Sequence, residues 1–347
     1  MKTAIRNLSF NELKRWSEKN NLPKYRTDQI FLAIYSGNIN DFDKITTLPS
    51  DLRDLLNEDF LAVSLELIDE IHSLDGSIKF LLRTYDNKFI ESVFMPYDSG
   101  RNTLCISTMT GCPIGCKFCA SGKIGDSRKL TQAEILDQVF IAQSKLNSKL
   151  TNLVYMGMGE PFLNYENTIS SIEMLTNEKN KIFSRRKITL STVGVPLKIR
   201  QLANMKEPVK LALSLHATTE GDRNKIIPTN KTYPISEIMN DIEYYYRKTH
   251  LPITYEYILF AGFNDSDNDA KRLAKIARRV SSKINIIPLN DISFTGIETN
   301  LKPADEDGIT LFIEMLESYG VTATLRRSYG QDISAACGQL AGNKIFS

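Results

Sequence analysis

The sequence lacks several features that would narrow its function at once. No stretch approaches the ~18 uncharged apolar residues of a membrane span, so none is predicted. The 43 Lys and Arg residues nearly balance the 41 Asp and Glu residues, and a formal charge of +2 does not indicate a nucleic-acid partner. Histidine occurs only three times, which leaves few imidazoles for a zinc site. Any metal or RNA partner must therefore be argued from local patterns.

The overall composition is that of a folded protein. Of the 347 residues, 42% are hydrophobic and 24% are charged, which is enough apolar matter to bury a sizeable core. This length predicts about two domains, although one α/β barrel could take up most of the chain. The first six residues contain no apolar stretch after their positive charges, so no signal peptide is predicted. With five cysteines and no export signal, we expect a cytoplasmic protein without a membrane partner.

Residues 1–75 predict a small helical module, with helical patterns to about residue 70. Ser9 and Glu12 form a capping box at the start of the first helix, and further helices are predicted over 27–35 and from about residue 50. The pattern then changes to strands over 79–83 and 89–95. Residues 76–100 are therefore predicted to form a β-hairpin linker.

Residues 101–332 show strands and helices in alternation. The predicted strands cover 103–107, 152–156, 187–192, 210–215, 253–260 and 283–289, with a last short strand over 321–326. Because a helix is predicted after each of the first six, the chain is expected to be an α/β protein with a partial (βα)6 barrel. In such folds the active-site residues lie at the C-terminal ends of the strands. Residues 333–347 are assigned to a C-terminal tail.

Three of the five cysteines lie together directly after the first strand of this series. Cys112, Cys116 and Cys119 have the spacing C-x3-C-x2-C, and close thiolates suit zinc or an iron–sulfur cluster. A structural zinc site requires a fourth ligand nearby, and Cys105 on the preceding strand is a poor candidate. In a four-iron cluster, three thiolates leave one iron open to a ligand that is not protein. That asymmetry favours a cluster that activates a bound molecule.

The triplet at this position resembles the radical S-adenosylmethionine (SAM) superfamily. The resemblance implies one [4Fe-4S] cluster whose open iron binds the methionine end of SAM, and whose electron cleaves SAM to a 5′-deoxyadenosyl radical. Residues 156–161 match the superfamily's segment that holds the SAM amino group. Their two glycines allow close approach of the backbone to a ligand, and Glu160 can accept hydrogen bonds from an ammonium.

Small polar groups also end the other predicted strands, and together they trace a ring. Each is weak evidence alone, because Ser and Asn are common at strand ends and a lone histidine is more often structural. As a ring they are placed to contact the ribose and adenine of SAM. The predicted cofactor-binding residues are Gly159, Glu160, Ser191, Ser214, Leu215, His216 and Asn290.

Four segments across almost the whole chain resemble the RlmN/Cfr family of RNA adenine methyltransferases. They are residues 23–30, 111–122, 185–192 and 330–340. The resemblance implies 23S rRNA and tRNA as partners, with two SAM molecules per turnover, one as methyl donor and one as radical source. It also implies an electron-donor protein such as a flavodoxin, and a monomeric enzyme.

The same resemblance assigns roles to the remaining cysteines. The cysteine at the position of Cys337 becomes an S-methylcysteine, and the radical formed on its methyl group adds to the adenine ring. A carboxylate matching Glu91 accepts the ring proton, although a lone Glu in a strand usually lies on a solvated face. The cysteine matching Cys105 then releases the product by forming a disulfide with Cys337.

Two branches of the family differ in the carbon that they methylate. One methylates C2 of adenosine 2503 in 23S rRNA and C2 of adenosine 37 in tRNAs, whereas the resistance branch methylates C8 of the rRNA adenosine. Pro161 favours the C2 branch. Asn290-Asp291 and residues 120–122 depart from the family pattern without removing a reactive group. C2 methylation is therefore expected, with C8 methylation as one alternative and a non-catalytic, zinc-stabilised RNA-binding module as another.

Four basic clusters could line an RNA-binding rim, or could be solvated surface charge. They are residues 185–187, Lys123 with Arg128 and Lys129, Lys24 with Arg26, and Arg326 with Arg327.

Overall fold

The structure is a computed structural model that describes residues 2–36, 41–296 and 299–340. The strands are β1 Thr3–Ala4, β2 Phe60–Leu61, β3 Leu65–His72, β4 Ile78–Thr84, β5 Phe89–Pro96, β6 Asn102–Cys105, β7 Asn152–Tyr155, β8 Ile188–Thr192, β9 Lys210–Ser214, β10 Ile253–Leu259, β11 Ser282–Pro288 and β12 Ala323–Leu325. The α-helices are α1 Phe10–Lys19, α2 Lys24–Ser36, α3 Ser50–Asp59, α4 Gln132–Lys145, α5 Tyr165–Leu175, α6 Pro196–Ala203, α7 Glu220–Ile226, α8 Ile235–Thr249, α9 Asp267–Ala277 and α10 Glu306–Ser318. Across the described ranges, no helix combines the length and apolar character needed to cross a membrane.

One ten-stranded sheet, ordered from β12 through consecutive strands to β3, organises the described part of the chain. Strands β6 to β12 are parallel neighbours, and helices α4 to α10 fill the connections between them. The two edge strands, β12 and β3, do not pair with each other, so the barrel is open. This confirms the predicted α/β fold and its six βα units. Helix α7, which precedes α8 in the same connection, was not predicted.

Alternation along the strands separates the core from the interior of the open barrel. In β6, Leu104 is fully buried in the main apolar core, whereas Thr103 and Cys105 line cavities inside the curve of the sheet. The inward-facing positions of the other parallel strands are largely polar as well. The fold therefore places reactive side chains on the inner face while the apolar face holds the helices.

The N-terminal module is helical only as far as residue 59. Its first helix begins at the predicted capping box, where the Ser9 side chain accepts from the Glu12 N–H. The helical interpretation of residues 65–70 is wrong, because they form β3, which pairs antiparallel with β4. A β-bulge between Leu67 and Asp69 breaks the alternation that would have predicted a strand. The predicted hairpin of β4 and β5 is confirmed and becomes a three-stranded antiparallel extension.

A buried ion pair joins the N-terminal module to the barrel. The Arg6 guanidinium lies 2.6 Å from Oδ1 of Asp137 on α4, and both side chains are about 1% exposed. The other oxygen of Asp137 accepts from the backbone N–H and the hydroxyl of Ser64. The pair is thus well satisfied, and removing one partner would leave an uncompensated charge in the interior.

We expect Arg6→Met to lower the free energy of unfolding by about 3–5 kcal/mol, because Asp137 would remain buried without its cation. Urea unfolding followed by circular dichroism measures this change. The matched control is Lys14→Met, which removes one member of an exposed pair with Glu18 and should cost at most about 0.5 kcal/mol. Equal losses in the two variants would contradict the structural role of Arg6.

Candidate active site

The candidate site is a cavity of about 140 Å³ at the C-terminal ends of the parallel strands. The cysteine triplet lines one side, and the segment after β7 lines another. The ends of β8, β9 and β10 complete the wall, together with Cys337 and Gly338 of the tail. The cavity therefore lies at the C-terminal ends of the strands, where the sequence predicts the reactive residues.

The loop between β6 and α4 holds the three cysteines against an apolar anchor. Ile114 and Phe118 are buried in a cluster with residues of α7 and β10, and the three cysteines pack against this cluster. Within the loop, the Cys119 N–H donates to the carbonyl of Cys116 at 3.2 Å. Ile114 and Phe118 therefore anchor the loop in the apolar cluster, and the three thiols line the cavity beside them.

The electrostatics of the triplet suit a strongly cationic ligand. Burial raises the pKa of all three thiols, and the neighbouring thiols raise the pKa of Cys112 and Cys116 further. A cation is needed to hold them as thiolates. Within the residues that the structure describes, no three His, Cys, Asp or Glu side chains are grouped to hold a single metal ion. Three spaced, soft donors fit an iron–sulfur cluster better than a structural zinc ion, which takes four close ligands.

Glu160 presents a buried carboxylate to the same cavity. Its Oε2 accepts from the Val193 N–H at 2.9 Å, and its Oε1 accepts from the Phe162 N–H at 3.0 Å. Burial raises the pKa of Glu160, while these hydrogen bonds oppose that shift. A carboxylate has about four acceptor sites, so Glu160 retains capacity for a cationic group in the cavity.

The two glycines before Glu160 are required by packing within the chain. At Gly159 φ is +100°, and a Cβ would lie 2.6 Å from Cβ of Met109. At Gly157 a Cβ would lie 2.7 Å from the carbonyl of Ile106. The interpretation of these glycines as room for a ligand alone is therefore incomplete, because they let the segment pack against the start of the cysteine loop.

His216 lies in the cavity wall as a neutral imidazole. Its Nδ1 accepts from the Ile258 N–H at 3.1 Å, and its ring meets Phe118 edge-on with centroids 4.8 Å apart. Burial lowers the pKa of His216 to about 3, and the charge of Arg223 adds to the effect. The proton of the neutral ring is therefore on Nε2, where it is available as a donor.

The other predicted cofactor residues differ in how they reach the cavity. Ser191 and Ser214 both line it, with hydroxyl oxygens 3.3 Å apart. Leu215 is buried in the core, and its backbone carbonyl accepts a hydrogen bond from Arg223 Nε at 3.0 Å. Asn290 does not line the cavity. Its amide nitrogen donates to the carbonyl of Cys337 at 3.0 Å, and its oxygen accepts from Gln331.

Arg223 is a structural member of the site that the sequence did not reveal. This buried guanidinium donates to the carbonyls of Val193 and Ser214, and so ties together the ends of β8 and β9. It lies on α7, which was not predicted, in a run of charged residues that resembles a solvated helix face. Only the tertiary contacts distinguish it from surface charge.

The tail brings Cys337 to the cysteine loop and to the end of β11. The Gly338 carbonyl accepts from the Ala120 N–H at 2.7 Å, and the Gln339 amide donates to the Asp291 carbonyl at 2.7 Å. Residues 341–347 of the assigned tail lie outside the described residues. The partly buried Cys337 thus shares one cavity with all three cysteines of the triplet.

A second, smaller cavity of about 30 Å³ adjoins the first and contains the fifth cysteine. Cys105 and Cys337 both line it, with Arg326 and Met156. Burial raises the pKa of Cys105 to about 12, while Arg326 acts in the opposite direction. Arg326 donates to Oε2 of Glu256 at 3.1 Å, so it is paired inside the barrel and is not solvated surface charge. Arg326 directly follows β12, and its side chain turns toward the interior of the barrel.

Glu91 is buried and does not lie on a solvated face. Lys79 Nζ lies 3.4 Å from its Oε1 and donates to the Ser334 carbonyl of the tail at 3.3 Å. Glu91 does not line either cavity, although Val93 on the same strand lines the smaller one. Lys79 is one link between Glu91 and the tail that carries Cys337.

Comparisons with known proteins agree with this geometry. Residues 106–274 match the family model of the radical SAM superfamily, and residues 3–61 match that of the ribosomal RNA large subunit methyltransferase N-terminal domain. A Thermotoga sp. (strain RQ2) protein named "Probable dual-specificity RNA methyltransferase RlmN" is 43% identical over 98% of both chains. A Thermus thermophilus protein of that name is 42% identical over 91% of this chain and 89% of its own. The crystal structure of a radical SAM methyltransferase from Sphaerobacter thermophilus has a TM-score of 0.92 and 39% identity, and covers 97% of this chain and 99% of its own.

We expect His216 to make the protein less stable in acid. Because the pKa of the folded imidazole is about 3 and an unfolded one titrates near 6.5, the unfolded chain binds the extra proton between these values. The stability is present above about pH 6.5 and is lost by up to about 1.4 kcal/mol per pH unit as the pH falls. Urea unfolding of wild type and His216→Gln at a series of pH values measures the difference. Identical pH slopes would refute this assignment.

Proposed function

The chain belongs to the radical SAM superfamily and, within it, to the RlmN family of RNA methyltransferases, and we propose that it methylates C2 of adenosine in RNA. The proposed targets are adenosine 2503 of 23S rRNA and adenosine 37 of tRNAs. The observation that carries the proposal is the position of Cys337. Its side chain lines both the cavity of the triplet and the cavity of Cys105, as a carrier of one carbon between two partners requires.

Cys112, Cys116 and Cys119 would hold the [4Fe-4S] cluster, and the opposite wall would hold SAM. Glu160 offers its remaining acceptor sites to the SAM ammonium, while the Ser191 and Ser214 hydroxyls and the His216 Nε2–H face the same space. When bound, the cluster and two SAM molecules supply a methyl group in one step and a 5′-deoxyadenosyl radical in the other. Gly159 shapes the segment that carries Glu160. Asn290, through its bond to the Cys337 carbonyl, orients the tail.

In the proposed reaction, the chain's own reactive groups are the thiols of Cys337 and Cys105, which have separate roles. Carbon C2 of adenine bears only hydrogen and is electron-poor, so it does not attack a sulfonium methyl directly. Cys337 would accept the methyl group, and one hydrogen atom of that methyl would pass to the 5′-deoxyadenosyl radical. The methylene radical left on Cys337 would add to C2, and the adduct would return one electron to the oxidised cluster. The thiolate of Cys105 would then attack the Cys337 sulfur, so that an S–S bond forms as the S–C bond breaks; the released methylene carbon keeps the electron pair and takes up a proton, while C2 loses its own proton. Arg326, which lines the same cavity, opposes the effect of burial on the pKa of Cys105.

Glu91 is the proposed acceptor of the ring proton. Its burial beside Lys79 keeps a carboxylate close to the tail without exposing it to water. Because it does not line either cavity, transfer from the base requires that Glu91 become accessible when RNA binds. The lysine contact to Ser334 links that change to the position of Cys337.

RNA is the proposed macromolecular partner, and several of the basic residues are placed to meet it. Lys24, Lys123, Lys129 and Arg186 are exposed. In contrast, Arg128 is held by Asp86 and Glu134, and Arg185 is held by Glu207. We also propose a monomer that receives electrons from a protein such as a flavodoxin. Regenerating free thiols after each disulfide requires a reducing compartment such as the cytoplasm.

Nucleoside analysis tests the proposed reaction directly. Protein purified without oxygen is incubated with a chemical reductant, SAM and unmodified 23S rRNA or tRNA, and the digested RNA is analysed by mass spectrometry against methyladenosine standards. We expect 2-methyladenosine, and about four irons per chain in the purified protein. Detection of 8-methyladenosine alone would support the other branch. A colourless zinc protein without product would support the binding-module alternative.

Cysteine variants test the separate roles of Cys337 and Cys105. Cys337→Ala should abolish turnover with iron content unchanged, because the three ligands remain. Cys105→Ala should accumulate protein joined covalently to RNA, visible as a nuclease-sensitive shift on a denaturing gel. The double variant is the matched control and should show no adduct, because the point of attachment is absent. Free product at the normal rate from Cys105→Ala would contradict the resolving role.

A further inference from the structure

A third cavity lies at the opposite end of the barrel from the candidate active site. Its volume is about 670 Å³, and it opens among the N-terminal ends of the parallel strands. Threonine and asparagine side chains on the inner face of the sheet line it, among them Thr189, Thr254 and Asn285. The pair of Arg326 and Glu256 forms the boundary with the cavities above. No step of the proposed reaction uses this lower cavity.

Four cations without an ion pair among the described residues line the lower cavity, and a fifth lies close to them. Lys210 begins β9 and stands beside Thr189 of β8, while Lys283 near the start of β11 stands beside Thr254 of β10. Arg101 and Arg327 also line the cavity, and Lys187 is the fifth cation, whose charge acts on Lys210. Within residues 2–36, 41–296 and 299–340, none of the five forms an ion pair. Glu256, which lines the cavity from above, is already paired with Arg326.

The charges are close enough to repel one another. The pKa of Lys210 is lowered by partial burial and then by Lys283, Lys187 and Arg101. Two of these residues lie in β9 and β11, and Lys187 and Arg101 directly precede β8 and β6, so the curvature of the sheet brings them together. Like charges held in one place without a counter-ion are the electrostatic condition for binding an anion.

A tilted pair of tyrosine rings holds two of the cations at the seam of the open barrel. The rings of Tyr97 and Tyr329 lie 4.8 Å apart, with the Arg101 guanidinium 3.6 Å from the first ring and the Arg327 guanidinium 5.1 Å from the second. Stacking fixes the arginine planes and leaves their N–H groups free to donate. The Thr103 hydroxyl, in the same cavity, is buried without a hydrogen-bond partner. It is an unused donor inside a cationic cavity.

We propose that the lower cavity is a binding site for a phosphate-bearing anion, held by Lys210, Lys283, Arg101 and Arg327. Guanidinium groups match phosphate oxygens in pairs, and lysines add point charge. The volume exceeds that of a single phosphate, so the site can take a larger phosphorylated group. The phosphate can belong to a free small molecule or to the backbone of RNA, and its chemistry is the same in both.

The test uses inorganic pyrophosphate as the probe and isothermal titration calorimetry as the readout. The purified full chain should bind it, with an affinity that falls as NaCl is raised. Lys210→Ala with Lys283→Ala should weaken binding at least tenfold, whereas Lys210→Arg with Lys283→Arg should retain it. The matched control is Lys271→Ala with Lys275→Ala, two exposed lysines of α9 outside the cavity, which should change affinity less than twofold.

Two results would overturn the proposal. One is the absence of measurable pyrophosphate binding, and the other is equal binding by wild type and the Lys210 and Lys283 alanine variant. Adding unmodified tRNA distinguishes the two sources of phosphate. If tRNA displaces pyrophosphate and binds the alanine variant more weakly than the control, the site serves RNA; if neither occurs, it serves a free molecule. Because no arm measures methylation, failure here is independent of the proposed reaction.

Discussion

The contact between the tail and the cysteine loop is the constraint on which the rest of the site depends. Gly338 has φ +84°, and a Cβ there would lie 2.9 Å from the carbonyl oxygen of Phe118. Only glycine allows this approach, which lets the Gly338 carbonyl accept from Ala120. The contact joins two parts of the chain that are more than two hundred residues apart. Without it, the thiol of Cys337 and the triplet would have no common cavity.

Sequence patterns predicted the parallel part of the fold because its signals are local. Capping boxes at Ser9 and Thr131 mark helix starts, and each strand of the barrel is a short apolar run with a helix after it. The same reasoning failed at β3, where a bulge shifts the alternation by one residue. It also did not find α7, a short helix in a charged segment with no apolar face of its own.

The predictable parts of the site are those whose reactive residues have a characteristic spacing in the sequence. The triplet and Glu160 follow their strands directly, so position in the fold and residue type agree before any contact is known. Arg223 and Arg326 were not predictable, because an arginine that pairs inside the protein has the same sequence appearance as one in solvent. Asn290 illustrates the remaining difficulty: its place at a strand end was correct, but its partner is the tail. Long-range contacts alone decide such cases.

The small size of the cavity between Cys105 and Cys337 has a consequence for how a base can enter it. Its roughly 30 Å³ accommodates about one or two water molecules, far less than an adenine ring. The proposed reaction therefore requires that the tail move aside before a base can lie between the two thiols. Just before the tail, the Gly330 N–H donates to Asp75 and the Ser73 hydroxyl donates to Asp332, and these bonds attach the chain to the antiparallel extension. In the proposed reaction, entry of the base would then be a step separate from the radical chemistry, and it would require these hydrogen bonds to break.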